Sequence, residues 1–280
     1  MYTFEEWKKN LIIVRGGGDI ATGTIYKLYQ SRFPVLVLEI ANPSCIRRTI
    51  SFCEAVFDKK VEVEGVTAKR AESLEDAFAI YGQGQIPVMI DENGSMIQEV
   101  QPPVVVDAIL AKRNLGTKIT DAPAVIGVGP GFCAGKDVDA VIETQRGHNL
   151  GRVIYEGEAA PNTGIPGMIG GYAKERVIHA SATGKLHILR QIGEIVEPGD
   201  ILADIEGTPV ETVIGGVIRG MIREGYPVTK GFKMADIDPR LNEYENCFTI
   251  SDKARCIAGG VVEAYFVLKQ QLEKGDAQCM

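Results

Sequence analysis

Short apolar runs alternate with amphipathic segments along the first half of the chain. Residues 11–14 form a run rich in β-branched side chains that three glycines end, which is typical of a buried strand. Apolar side chains then recur at helical spacing between Asp19 and Gln30. Residues 34–39 form a second buried run, and it ends in Glu39. The pattern predicts a strand, a helix and a second strand in succession.

The alternation continues further along the chain with shorter segments. Its pattern predicts strands at residues 55–57, 61–63, 86–90, 104–106 and 124–128, and a helix at residues 72–81.

An amphipathic helix is predicted near the end of the sequence, over residues 251–275. Ser251 is a suitable N-cap, and one apolar stripe follows, formed by Ile257, Val261, Tyr265 and Leu268. Gly259 and Gly260 inside this helix each cost about 1 kcal/mol relative to alanine, so another backbone is expected to pack close to them. We expect the helix to return to the first domain.

Two segments of the second half repeat each other. Residues 182–205 align without a gap to residues 214–237, and their glycines recur at the same places. Each copy is predicted to form a strand, a short strand and a strand, with glycines at the turns. Two such copies resemble the barrel-sandwich hybrid of biotinyl and lipoyl carrier domains. The junction at residues 205–211 has no lysine, so neither biotin nor lipoate is expected there.

The predicted fold class is therefore α/β, with a Rossmann-like parallel sheet domain and a small all-β barrel-sandwich hybrid. Residues 1–150 are expected to form the first domain, which the helix at residues 251–275 completes. Residues 151–245 are expected to form the β domain with the internal repeat. A chain of 280 residues is long for a single core of typical size, which favours two domains.

Charge and composition narrow the classes of partner. The chain has 30 basic and 37 acidic residues, a formal net charge of −7 and no basic stripe, which disfavours nucleic acid and anionic membranes. It shows no signal peptide and no apolar run of about 18 residues. Its six cysteines form no CxxC pair. We expect a cytoplasmic protein with reduced thiols, and a homo-oligomer is compatible with the sequence.

The first glycine-rich turn is the main candidate for ligand binding. Its glycines permit a tight turn and a close approach of the backbone to a pyrophosphate, at the N-terminus of the following helix. An acid at the end of the second strand is placed to accept hydrogen bonds from ribose hydroxyls. The residues predicted to bind a dinucleotide here are Gly16, Gly17, Gly18, Asp19, Ile20 and Glu39. The carboxylate of Asp19 would repel a phosphate, so Asp19 is alternatively the cap of the helix N-terminus. A turn that is purely structural and binds no ligand is the other alternative.

Two further places are candidates for phosphate binding. Gly129 and Gly131 belong to a second glycine-rich turn, which lacks the Gly-Lys-Ser/Thr ending of a P-loop. Arg47 and Arg48 follow the second strand, and they either clamp a phosphate or lie in a solvated loop.

A polar loop rich in glycine and proline adds the last candidates. Ligand contacts are predicted for Glu143, Arg146, His148 and Asn162. For His148, a structural hydrogen-bonding role is favoured over general acid or base catalysis.

Six stretches together resemble one protein family. They cover residues 14–23, 127–139, 142–148, 161–164, 236–240 and 250–254, with the sequences VRGGGDIATG, GVGPGFCAGKDVD, IETQRGH, PNTG, DIDPR and ISDKA. In them the chain looks like the YqeB-type family over nearly its whole length. That resemblance implies an accessory protein of selenium-dependent molybdenum hydroxylases. The Rossmann-like part is also distantly similar to the XdhC group of molybdenum-cofactor insertion chaperones.

Three functions remain open from the sequence. The resemblance implies a maturation factor for a molybdenum hydroxylase that binds a dinucleotide-type ligand, such as a molybdopterin dinucleotide. The glycine turn with Glu39 also fits an NAD(P)-dependent oxidoreductase, and a non-catalytic protein-interaction scaffold is the third function. The sequence shows neither a Ser-His-Asp arrangement nor a metal-ligand cluster, so no catalytic residue and no metal site is predicted. Whether the chain is an enzyme stays open.

Overall fold

The computed structural model describes residues 2–164 and 166–278, with no side chains described for residues 275–278. Its contacts divide the chain into two units. The first comprises Met1–Pro43, Phe52–Asn162 and Ile250–Met280, and the second comprises Ser44–Ser51 and Thr163–Thr249. The short segment Ser44–Ser51 thus groups with the second half of the chain, which the sequence pattern did not indicate.

The first unit contains α-helices and strands in alternation. Its helices are α1 (Phe4–Asn10), α2 (Asp19–Gln30), α3 (Ala55–Asp58), α4 (Leu74–Gly82), α5 (Ser95–Val100) and α6 (Asp252–Gln278). Its strands are β1 (Ile12–Arg15), β2 (Val35–Glu39), β3 (Lys60–Val63), β4 (Val66–Ala71), β5 (Ile86–Ile90), β6 (Val104–Asp107), β7 (Ala124–Val128), β8 (Cys133–Ala134), β9 (Ala140–Ile142), β10 (Val153–Ile154) and β11 (Gly157–Glu158). The strand, helix and strand predicted between residues 11 and 39 are present. Residues 55–57 were predicted as a strand and instead begin α3, because so short an apolar run fits either structure.

Nine strands of the first unit form one mixed sheet in the order β10-β9-β7-β6-β1-β2-β5-β4-β3. The inner strands run parallel, whereas β3 and β10 at the two edges are antiparallel to their neighbours. The predicted Rossmann-like parallel sheet is therefore wrong. The cause is visible at β3, which a two-residue turn of Glu64 and Gly65 joins to β4. Both turn residues have positive φ, and a connection that short permits only antiparallel pairing.

Helices α2 and α6 pack side by side and run in the same direction. Near their N-terminal ends, a Cβ on Gly23 would lie only 2.7 Å from the Cβ of Ala254. Just beyond the C-terminal end of α2, the ring of Phe33 packs against that of Tyr265 in α6, with the centroids 4.6 Å apart. Since β1 leads through its glycine turn into α2, both helix N-termini lie at the carboxyl end of β1.

The second unit is built from antiparallel strands. These are β12 (Val177–His179), β13 (Gly184–Ile188), β14 (Ile195–Val196), β15 (Ile201–Ile205), β16 (Thr208–Glu211), β17 (Gly216–Met221), β18 (Pro227–Val228) and β19 (Lys233–Asp238). They form two four-stranded sheets in the orders β12-β19-β17-β14 and β16-β15-β13-β18. Leu186, Ile218, Met234 and Ile237 are among the buried residues of one apolar core.

Both copies of the sequence repeat contain the predicted strand, short strand and strand. The short middle strand of each copy pairs with a strand of the other copy, β14 with β17 and β18 with β13. The predicted barrel-sandwich hybrid is nevertheless wrong, since the strands are divided between two separate antiparallel sheets. A sequence repeat specifies local strands and turns, but it does not specify which strands pair.

Candidate functional site

The carboxyl end of β1 is the centre of the candidate site. β1 pairs with β2 on one side and with β6 on the other, so the chain order of the strands reverses here. Open α/β sheets bind their ligands outside the carboxyl ends of the strands at such a point. The glycine-rich turn follows β1 directly.

The glycines of this turn are required by close packing within the first unit. Gly16 has a φ of +92°, and a Cβ on it would lie 3.0 Å from the Cα of Ile109. A Cβ on Gly17 would lie 2.9 Å from the backbone nitrogen of Cys53, whose N–H donates to the Gly17 carbonyl at 2.8 Å. Gly18 is the extended N-cap residue of α2. Glycine is therefore needed at positions 16 and 17 whether or not a ligand binds.

Asp19 and Ile20 open the first turn of α2 and are both half-buried. An acid at the N-terminus of a helix interacts favourably with the helix dipole. The N-cap residue is Gly18, so the alternative prediction of Asp19 as the helix cap is corrected to an acid of the first turn. Ligand contact by either residue stays a prediction.

The carboxylate of Glu39 binds the backbone of the glycine turn. Its Oε2 accepts the N–H of Gly17 at 2.7 Å, and its Oε1 accepts the N–H of Ile40 at 2.8 Å. Burial raises the pKa of Glu39 above its ordinary value, although both N–H groups act to lower it. The carboxylate therefore orients the turn, and its predicted contact with a ribose stays a prediction.

A buried ion pair supports the turn from the neighbouring strand. Arg15 and Asp107 stand opposite each other at the ends of β1 and β6, with Nη1 and Oδ2 3.4 Å apart. The hydroxyl of Thr117 donates to the same carboxylate oxygen at 2.6 Å, and the N–H of Ile109 donates to the other oxygen at 3.1 Å. Burial raises the pKa of Asp107 above its ordinary value, although the Thr117 hydroxyl and the Arg15 guanidinium act to lower it. The pair thus holds the segment after β6, against which Gly16 packs.

The second glycine-rich turn follows β7, and it too is closely packed. Gly129 and Gly131 have positive φ. A Cβ on Gly129 would lie 3.0 Å from the hydroxyl oxygen of Thr144, and one on Gly131 would lie 2.6 Å from the Cα of Arg113. These steric contacts explain both glycines, and ligand contact at this turn stays a prediction.

Glu143 organises the loop that follows β9. The residue is 5% exposed; its Oε1 accepts the N–H of Gln145 at 2.6 Å and its Oε2 accepts the N–H of Ala160 at 2.8 Å. One carboxylate therefore joins the beginning of this loop to the segment that follows β11. Arg146, in the loop between β9 and β10, donates two hydrogen bonds to the carboxylate of Asp252, at 2.9 and 3.1 Å.

Lys253 lies in the first turn of α6, next to this ion pair. Ser251 accepts the N–H of Ala254 at 3.2 Å, which confirms it as the predicted cap of the helix. A lysine in the first turn is unfavourable with the helix dipole, since that position favours acids. Lys253 is also half-buried, so its position calls for an explanation beyond helix stability.

The charged groups around Lys253 come from separate parts of the chain. Burial and the Arg146 guanidinium lower the pKa of Lys253, and three carboxylates act in the opposite direction, those of Asp19, Glu143 and Asp252. Among the residues that the structure describes, no carboxylate oxygen lies within 4.0 Å of the Lys253 ammonium. We call Asp19, Glu143, Arg146, Asp252 and Lys253 the lysine cluster.

The lysine cluster contains three residues predicted from sequence and two that were missed. Asp19, Glu143 and Arg146 were predicted as ligand contacts, whereas Asp252 and Lys253 were assigned only to the start of the last helix and to the ISDKA stretch of the family resemblance. The unfavourable lysine at that start was the available signal, because violations of local preference concentrate at functional sites.

The remaining predicted residues are not part of the lysine cluster. His148 and Asn162 are exposed on loops of the first unit. Arg47 and Arg48 belong to the second unit and donate to backbone carbonyl oxygens there: Arg47 to Asn246 and Thr249, and Arg48 to Met221. Their predicted contact with a phosphate stays a prediction.

An open cleft of about 420 Å³ lies beside β10, and we call it the β10 cleft. Its lining residues are Glu143, Asn149, Arg152, Val153, Ile154, Tyr155 and Glu158. It therefore shares only Glu143 with the lysine cluster.

The described residues include no candidate metal site and no candidate membrane-spanning helix. No group of three or more histidine, cysteine, aspartate or glutamate side chains among them is arranged to hold a metal ion. None of the helices that the structure describes combines the length and the apolar character needed to span a membrane.

Solved structures show only remote likeness to this chain. An aspartoacylase family protein of Mesorhizobium loti is 12% identical, with 82% of this chain and 84% of that chain covered and a TM-score of 0.28. A succinylglutamate desuccinylase of Silicibacter sp. TM1040 is 12% identical, with the same coverage and a TM-score of 0.24. The product-bound ectoine utilization protein EutE (DoeB) of Ruegeria pomeroyi is 11% identical, with 81% and 56% covered and a TM-score of 0.22. Scores this low support no conclusion about fold or function.

Sequence comparison gives one strong match. No family model matches the chain. The uncharacterized protein YqeB of Escherichia coli (strain K12) is 48% identical over 261 residues, which cover 93% of this chain and 48% of YqeB. The chain thus spans about half the length of YqeB. This match supports neither the link to a molybdenum hydroxylase nor the similarity to the XdhC group. The match confirms that the chain is similar to YqeB, as the six sequence stretches predicted.

Proposed function

We propose that this chain is an accessory factor that binds a dinucleotide-type anion, such as a molybdopterin dinucleotide, during maturation of a molybdenum hydroxylase. The main support for this proposal is the ammonium of the half-buried Lys253, which has no carboxylate within 4.0 Å among the described residues. A pyrophosphate supplies the anion that this ammonium lacks. The hydroxylase itself is proposed from the YqeB-type resemblance.

Two helix N-termini support anion binding at this place. α2 and α6 begin at Asp19 and Asp252 and run in the same direction, so the positive ends of their dipoles reinforce each other. The two aspartates offset part of that potential, and Arg146 is engaged with Asp252. Lys253 therefore carries the charge that a phosphate would meet.

The contacts of Glu39 weaken the argument that the sequence pattern made for NAD(P)-dependent oxidation. Binding of NAD(P) by the predicted pattern uses this carboxylate as the acceptor for ribose hydroxyls. Here each of its oxygens already accepts a backbone N–H, from Gly17 and from Ile40. A ribose would have to share these oxygens with the turn.

Titration calorimetry with molybdopterin dinucleotide, NAD⁺ and NADP⁺ tests the proposal. We expect the pterin dinucleotide to bind more tightly than either nicotinamide dinucleotide. Lys253→Met should weaken its binding about tenfold or more, because a charge-assisted hydrogen bond is worth about 1.5–3 kcal/mol. Lys274→Met, at an exposed position of the same helix, is the matched control and should bind like the unchanged protein. Preferred binding of NAD⁺, or equal affinity in the Lys253 variant, would contradict the proposal.

A further inference from the structure

The β10 cleft lies at an edge of the nine-stranded sheet. β10 is the last strand on that side, and the chain then returns through β11, which pairs with β8. At about 420 Å³, the cleft falls within the size range of small-molecule sites. Lys253 does not line it, so the cleft is a second place at which a ligand could bind.

Opposite charges face this cleft without pairing. Arg152 supplies a guanidinium, and Glu143 and Glu158 supply carboxylates. None of the three has an oppositely charged partner within 4.0 Å among the described residues. Among the side chains that the structure describes, the guanidinium of Arg152 donates only to the side-chain oxygen of Asn149, at 3.5 Å, which is long for a hydrogen bond. The guanidinium and the two carboxylates therefore lie in one cleft without forming ion pairs with each other.

The buried Glu143 has acceptor capacity left over. Each of its oxygens accepts one backbone N–H, whereas a carboxylate offers about four lone-pair sites. A cation in the cleft would occupy that remaining capacity and add to the stabilisation that the two N–H groups and the more distant Lys253 ammonium now give. Glu158, exposed on β11, adds a second carboxylate.

Tyr155 adds a hydroxyl donor to the cleft. Burial and the nearby carboxylate of Glu263 raise the pKa of its phenol, so the group stays protonated well above neutral pH. Val153 and Ile154 provide the apolar part of the lining.

We propose that the β10 cleft binds a small zwitterion with an ammonium and a carboxylate group, of the class of free α-amino acids. The ammonium lies towards Glu143 and Glu158, and the carboxylate lies towards Arg152 and the Tyr155 hydroxyl. An apolar side chain contacts Val153 and Ile154. This site shares Glu143 with the lysine cluster but does not include Lys253, and it does not depend on dinucleotide binding there.

Calorimetry of the full chain with each standard L-α-amino acid is the first test. We expect amino acids with apolar side chains to bind. The N-acetyl and the carboxamide derivatives of the strongest binder each lack one charge, and each should bind at least about tenfold more weakly. Absence of binding by every amino acid, or equal binding of the blocked forms, would overturn the proposal.

Variants then assign each charge to its residue. Arg152→Gln should remove the preference for the free carboxylate, and Glu158→Gln should reduce the preference for the free amine. Both residues are exposed, so neither change should disturb folding, and the exposed Arg32→Gln and Glu99→Gln are matched controls. If the cleft variants bind the amino acid like the controls, the site lies elsewhere and the proposal fails. Neither cleft variant should change dinucleotide affinity, which separates this result from that of Lys253→Met.

Discussion

The carbonyl oxygen of Gly151 packs directly against Gly260 of α6, which leaves no space for a side chain on Gly260. A Cβ there would also lie 3.0 Å from the side chain of Ile142. The contact attaches the turn between β9 and β10 to α6. Because that turn carries Glu143 and Arg152 at its ends, the contact contributes to both the lysine cluster and the β10 cleft.

Substitution of the two adjacent glycines of α6 should have opposite effects. Gly260→Ala should lower the free energy of unfolding by about 1–3 kcal/mol, since backbone of the same unit must move. Gly259→Ala has nothing within 4 Å of its Cβ and should raise the free energy of unfolding by up to about 1 kcal/mol, because alanine favours helix. Urea denaturation of both variants measures the difference. Equal effects of the two substitutions would mean that Gly151 does not pack as described.

Loss of the Thr117 hydroxyl should destabilise the buried ion pair. Thr117→Val removes the donor that lies 2.6 Å from the Asp107 carboxylate and should cost about 1–3 kcal/mol of unfolding free energy. Thr120→Val, at an exposed position nearby, is the matched control and should change stability by less than about 0.5 kcal/mol. Chemical denaturation at neutral pH measures the free energy of unfolding of both variants. A Thr117 variant as stable as the control would exclude a supporting role for this hydroxyl.

Glu39 should make stability depend on pH in the direction opposite to a salt-bridged acid. Because its pKa is raised in the folded state, the folded chain binds more protons than the unfolded chain between the ordinary glutamate pKa of 4.5 and the raised value. Its contribution therefore increases as pH falls through that window. The stability of the unchanged protein relative to Glu39→Gln should rise as pH falls from neutral towards 4.5. A pH-independent difference between the two proteins would contradict the raised pKa.

Anion binding at Lys253 should weaken at alkaline pH. Burial lowers the pKa of this lysine, so its ammonium loses its proton below the ordinary value of 10.5 and the attraction to phosphate falls there. Lys253→Arg keeps its charge at every accessible pH and should bind molybdopterin dinucleotide without this loss. Titration across neutral to alkaline pH compares the two proteins. An identical pH profile for both would show that Lys253 does not hold the anion.

Local structure around the site followed from the sequence. β1, α2 and β2 were predictable because strand and helix periodicities and the glycine stop are properties of neighbouring residues. The Ser251 cap of α6 and the strands of both repeat copies were predictable for the same reason.

Strand pairing depended on tertiary structure. The antiparallel edges at β3 and β10, and the exchange of β14 and β18 between the repeat copies, arise from hydrogen bonds between distant segments. Periodicity within a segment carries no information about its pairing partner.

The candidate site likewise combines features that the sequence predicted with features that only the tertiary structure shows. Gly17 and Glu39 were both predicted as ligand contacts, and the fold places them in a hydrogen bond with each other. Lys253 was part of a recognised sequence stretch, yet only packing of α6 beside α2 brings it among Asp19, Glu143 and Arg146. The sequence thus determined which local elements form and which polar residues are available. The tertiary structure decided which of those residues meet, because burial and charge compensation act between surfaces that lie far apart along the chain.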